Sequence, residues 1–145
     1  MEVTMEYYRI PAWSAIIIAA LMHLYNIAKS RGLTQQTRGI IRSSRDLQLV
    51  REFINLSMQL AIYYIAMSLL LLAVLAYLVM GGLSFATAMG QLFLFGIITL
   101  PMGLIGKHFE DQVRRMEIQP PDPALQETYA RYLAQWKEPR FKLPD

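Results

Sequence analysis

His23 and His108 are the chain's two histidines, and they are the side chains best suited to chemistry. Two neutral imidazoles on separate helices can ligate a haem iron axially, and a histidine near a membrane edge can hydrogen-bond a quinone. The plainer reading is packing, since a lone histidine in an apolar helix commonly bonds a neighbouring carbonyl. Other reactive constellations are missing. The chain has no cysteine, which removes disulfides, iron–sulfur clusters, thiolate zinc sites and thiol nucleophiles together. It has no glycine-rich phosphate loop, no Gly-x-Ser-x-Gly elbow and no catalytic carboxylate pair. Glu110 with Arg114, and Asp111 with Arg115, stand at i and i+4 and are expected to pair along a helix. No catalytic residue and no metal ligand set is therefore expected. The cofactor expectation is none, with haem b or a quinone at His23 and His108 as the alternative.

The elements that position these residues follow from where charge is missing. Of the 145 residues, 54% are apolar and 17% charged, outside the usual composition of a water-soluble domain. No Asp, Glu, Lys or Arg occurs from Ile10 to Ala28 or from Phe53 to Gly106. A hydrocarbon core needs roughly 20 helical residues to cross, so the first gap fits one span and the second fits two. As one helix the second gap would extend about 80 Å, more than a small soluble domain can cover. The fold class expected is an all-α integral membrane protein with three transmembrane helices, about 12–28, 54–80 and 85–106, and a short cytoplasmic amphipathic tail helix. Gly81-Gly82 supplies the break between the second and third spans. The first span is expected to be retained, because Glu2 and Glu6 precede it where a cleaved signal peptide has basic residues.

Charge asymmetry orients the spans. Residues 29–52 form a loop with Lys29, Arg31, Arg38, Arg42, Arg45 and Arg51 against Asp46 and Glu52, which places it in the cytoplasm. The hairpin is uncharged, and Lys107, Arg114 and Arg115 follow the third span. The N-terminus is then outside and the C-terminus cytoplasmic, in a membrane taken to be a bacterial plasma membrane. Arg38, Arg42 and Arg45 suit either acidic lipid headgroups or topology alone. Ser43 and Asp46 resemble a helix start leading into the second span.

Pro120, Pro121 and Pro123 bound a tail, residues 120–145, with a helix near 123–136. Its face of Leu125, Tyr129, Tyr132, Leu133 and Trp136 is apolar and aromatic, and such a short helix is marginal alone. Docking on a partner subunit is the favoured expectation. The stretch after Lys137, with Pro139 and Pro144, is expected to be extended and to lie along a neighbour or move freely.

Within the third span, Gly90, Gly96, Gly103 and Gly106 offer close helix packing, and Pro101 frees the Ile97 carbonyl for Thr99 to satisfy. The expected partners are the lipid bilayer, other membrane subunits or copies of the chain, and no nucleic acid. The function this implies is a small non-catalytic membrane subunit docking through its tail. The alternatives are a haem- or quinone-binding anchor of a redox complex and a small oligomeric transporter.

Overall fold

The computed structural model describes residues 7–138 and 140–143; Glu2, Glu6, Pro139 and Pro144 lie outside the described residues. A single 3-10 turn at Tyr7–Arg9 leads into α1 (Ile10–Thr37), followed by β1 (Ile40–Ile41), α2 (Ser44–Met80), α3 (Phe85–Arg114), β2 (Glu117–Ile118) and α4 (Pro123–Gln135). Three of these helices are long and apolar enough to cross a membrane. All three exceed the expected spans at the basic end. The presumed loop 29–52 is mostly helix, because nothing in it breaks a helix until Arg38 and Gly39.

Those two residues take positive φ, 55° and 73°, and stop α1. Thr37 Oγ1 accepts from the Gly39 amide at 3.3 Å and donates to the Leu33 carbonyl at 2.8 Å, which steadies the reversal. The chain re-enters helix at Ser43, whose hydroxyl accepts from the Asp46 amide, while the Asp46 carboxylate accepts from the Arg42 amide at 2.9 Å. This reciprocal arrangement satisfies donors that a helix start leaves open. At the other end of α2, Gly82 adopts φ 106°. Its amide bonds the Val79 carbonyl and the Leu83 amide bonds the Leu78 carbonyl, a Schellman closure that only glycine makes without strain.

Buried positions on α1 fall at Ala12, Ala15, Ile16, Ala19, Asn26, Ser30, Leu33 and Thr37, which apart from Ile16 are three, four or seven residues apart and share one face. Small side chains in that seam let α1 pack closely along both α2 and α3, whereas α2 and α3 touch over a much shorter stretch. Near the hairpin end, Leu71, Leu75, Ala88 and Phe95 close on the α1 alanines. Pro101 sits inside α3 without ending it. Thr99 does not serve the Ile97 carbonyl; it donates to Phe95 O at 2.8 Å and meets the Tyr64 hydroxyl at 3.0 Å.

The second core lies at the basic end. β1 and β2 pair in parallel, Ile40 beside Glu117 and Ile41 beside Ile118, which returns the chain from α3 to the α1–α2 turn. Asp122 caps α4 by accepting from the Ala124 and Leu125 amides at 2.9 and 3.3 Å. The face expected to dock on a partner is instead used within the chain. Tyr129, Tyr132 and Trp136 are buried with Leu33, Ile41, Val50, Phe53 and Val113, and Leu125 and Leu133 pack at the margin. Trp136 meets Phe53 edge-on at 6.0 Å and carries the Arg114 guanidinium over its ring at 4.0 Å. The strand pair delivers α4 to these helices. The segment beyond α4 is tied down as well. Leu143 is buried, and its amide donates to Asn55 Oδ1 at 2.7 Å, while Gln59 donates to the Phe141 carbonyl at 2.8 Å.

Trp136→Ala should lower unfolding free energy by about 3–5 kcal/mol, as for other buried aromatic truncations, and Asp122→Ala by about 1 kcal/mol, both read by denaturant titration in mild detergent. Alkaline pH gives a separate check on this core. Burial pushes the Tyr129 phenol up to about 12 from 10.0, against the opposing Met116 backbone hydrogen bond and Arg114 charge. The raised value favours the folded state below pH 10, and that contribution disappears as pH rises from 10 to 12. Tyr129→Phe should remove this part of the alkaline destabilisation, which stability curves measured across that range would register.

Candidate functional site

The polar groups of the three long helices converge at one level. On α1, His23, Asn26 and Ser30 follow the buried seam at i, i+3 and i+7. Ser57 and Tyr64 stand two turns apart on α2, and Gly103, Gly106 and Glu110 share a face of α3. Glu110 is the meeting point. Its Oε1 accepts from Asn26 Nδ2 at 3.1 Å and from Ser57 Oγ in a short contact, joining all three helices through one oxygen. One turn further along α1, Ser30 donates to the Phe109 carbonyl at 3.2 Å.

His23 lies against the glycine face of α3. A Cβ built at Gly103 would stand 3.5 Å from His23 Cε1, and one at Gly106 would stand 3.9 Å from Nδ1. The two glycines bring α3 close to the imidazole, and a Cβ at either position would sit at ordinary van der Waals distance from it. The His23 ring is 5.4 Å from Tyr64, tilted, and Tyr64 stacks on Phe95 at 6.0 Å. His23 Nε2 and Asn26 Oδ1 are both buried without a hydrogen-bond partner, the kind of leftover polar capacity that calls for an explanation.

Beside these groups opens a cleft of about 600 Å³. Met22, Leu60, Ala61 and Ile65 line its apolar part; His23, Asn26, Ser57, Tyr64 and Glu110 form its polar wall; Lys107, Asp111 and Arg114 stand at its charged rim. Charge gathers toward the α4 end of the cleft, while polar and apolar side chains share the rest of its wall. The cleft can hold an uncharged or weakly polar ligand. Among the described residues no three His, Asp or Glu side chains cluster to hold a metal ion.

His108 does not join His23. It is exposed, 3.4 Å from Gln112 and edge-on to Phe109, because its position two residues past Gly106 turns it to the opposite face of α3. Axial ligation of one haem by both histidines of a single chain is not built. The expected ion pair of Glu110 with Arg114 is not formed among the described residues, since Glu110 turns inward and Arg114 turns to Trp136. Of the four glycines, Gly103 and Gly106 meet another helix, while Gly90 and Gly96 have nothing near the place of a side chain. Arg38, Arg42 and Arg45 are exposed at the α1–α2 turn, far along the helices from the cleft.

Sequence reasoning passed over the α1 seam and Tyr64 and gave Glu110 to Arg114. The signal was present: Gly103, Gly106 and Glu110 repeat the three-four spacing that Asn26, Ser30, Leu33 and Thr37 show on α1. No family model, curated protein or solved structure matches the chain.

Glu110→Ala should destabilise the bundle by about 1–3 kcal/mol, since Asn26 and Ser57 lose their shared acceptor. Glu110→Gln keeps an acceptor oxygen and should retain more than half of the lost stability, which parallel thermal melts of the two variants would reveal.

Proposed function

We propose that the protein is a small, non-catalytic integral membrane subunit that acts by binding. The observation that carries this reading is the exposed surface of the hairpin half. Large apolar side chains stand outward there on every long helix, including Ile17 and Leu21 on α1, Leu69 and Leu70 on α2, and Phe93 and Ile97 on α3. Lipid is the solvent in which such a surface is favourable, and an α-helix satisfies its backbone hydrogen bonds internally along the span. Counting about 20 residues from the hairpin puts the inner edge of hydrocarbon near Ala61 and Leu104. Beyond it, the basic ends of the helices and α4 form a cytoplasmic cap, with the N-terminus outside.

This placement reassigns the basic residues. Lys29, Arg31 and Lys107 stand at the inner edge and serve as positive-inside anchors. Arg31 also lies over the Phe109 ring at 4.9 Å and Lys29 over Tyr25 at 5.4 Å. Arg38, at the far end of α1, is about 13 Å further along the helix, beyond the screening length of about 8 Å. Arg38, Arg42 and Arg45 then face the cytoplasm rather than the headgroups.

Since the tail face is occupied internally, association with other membrane subunits or with copies of the chain runs through the spans. Gly90 and Gly96 have open space where a neighbouring helix can approach. Gly90→Leu and Gly96→Leu should leave the melting temperature of the isolated chain within a few degrees and reduce the high-mass species seen on native electrophoresis after gentle extraction. A purely monomeric wild type under those conditions would count against the subunit reading. Single cysteines at Gly81 and Arg42 should label from opposite faces of sealed vesicles; labelling from the same face would exclude the three-span arrangement.

A further inference from the structure

The cleft beside His23 holds more polar chemistry than helix packing uses, and we infer that it binds the ring of a lipid-soluble quinone or quinol, with the isoprenoid tail passing between α2 and α3 into the bilayer. The inference rests on the reading of the chain as an integral membrane protein that acts by binding, and it names the ligand class. Three observations support it. The first is depth. Apolar Leu60, Ala61 and Ile65 line the cleft together with His23 and Tyr64, and apart from Glu110 in the polar wall the charged groups stand at the rim. A phospholipid in this position would bring its charges to the rim and leave acyl chain against His23 and Asn26, whose polar atoms lack partners. An uncharged ring with oxygen substituents sets its polarity at their level.

The second is shape. Tyr64, stacked on Phe95 at 6.0 Å and tilted to His23 at 5.4 Å, presents a flat aromatic wall suited to a planar ring. Because α2 and α3 pack over only a short stretch, the cleft has a lateral way out for a tail.

The third is hydrogen bonding. A quinone offers two acceptor oxygens, and its quinol offers two hydroxyl donors. Imidazole can donate or accept according to tautomer, so His23 serves either form. The Glu110 carboxylate accepts only, and it favours the quinol. His23 Nε2 and Asn26 Oδ1 lack partners and are closed to solvent, with Asn26 8% exposed, so a ligand reaches this unmet capacity by turning the two side chains toward the cleft they line. The proposal concerns binding and not electron transfer.

The test uses the full chain in nanodiscs and an azidoquinone photoprobe of the benzoquinone class, with labelled peptides mapped by mass spectrometry. Labelling should saturate, fall on the segments around His23, Ala61 and Gly103, and be competed by excess decyl-benzoquinone but not by phosphatidylethanolamine. Ala61→Phe fills the cleft without removing any polar partner and should cut labelling at least tenfold. His23→Phe keeps the ring and loses its nitrogens, and should weaken competition about fivefold. Glu110→Gln should weaken the quinol more than the quinone. Diffuse, non-saturating labelling along the lipid-facing helices, full labelling in Ala61→Phe, or a retained phospholipid displaced by that substitution would overturn the inference. Carbonate extraction of the same preparations reports membrane integration separately, so a failed ligand test leaves the subunit reading to its own experiments.

Discussion

One carboxylate oxygen holds the three long helices together at the level where polar chemistry begins. Glu110 Oε1 receives both the Asn26 amide and the Ser57 hydroxyl, and these lie on α1 and α2. Charge-assisted hydrogen bonds are about twice as strong as neutral ones, and their strength grows as water is excluded. Toward the hairpin from this joint, the helices rely on small-residue packing, with Ala12, Ala15 and Ala19 against Leu71, Leu75 and Ala88. In the other direction they rely on a mixed aliphatic and aromatic core under α4. Glu110 is where the two regimes meet, and the cleft exists because the carboxylate draws polar partners inward while Gly103 and Gly106 leave space beside them.

The same logic accounts for helix lengths that exceed what a bilayer needs. α2 has 37 residues, about 55 Å at the standard rise. Its first turns are not surplus. Leu47, Val50, Phe53 and Ile54 recur at helical spacing and are covered by α4 and the segment around Leu143. A polar loop in their place would have no apolar surface to offer α4, and a 13-residue helix is marginal without such a surface. The parallel pairing of Ile40–Ile41 with Glu117–Ile118 then acts as the clip that fixes where α4 lands.

The long helices, the hairpin at Gly81-Gly82 and the helix start at Ser43 were legible because each depends on local chemistry: charge-free runs, a positive-φ glycine, a side chain beside free amides. The limits of α1 and α2 were not, because a loop was inferred from charge, and charged residues such as Arg45 and Arg51 are compatible with a helix whose other face is covered. The site was half legible. His23 stood out by type and Gly103 and Gly106 by size, but Glu110 was assigned to Arg114 on i,i+4 spacing. Spacing along one helix cannot report a competing partner on another, and here Asn26 and Ser57 outbid Arg114, whose guanidinium finds the Trp136 face. His108 was misplaced for the opposite reason: residue type and a separate helix were read from the sequence, while facing direction depends on which side of α3 meets α1.

Gln91 brings out a further consequence of the α1 seam. It is 8% exposed, and both of its amide atoms are buried without partners. An amide in that condition is destabilising by a few kcal/mol, so the hairpin half carries an opposing term that packing must offset. The alanines of α1 are what allow it, since a bulkier seam would hold α3 away and leave more surface around Gln91 uncovered. Close approach of α1 to α3 therefore has two outcomes of opposite sign. At the hairpin end it traps an unsatisfied amide, and at the other end it delivers Asn26 and Ser30 to their acceptors on α3.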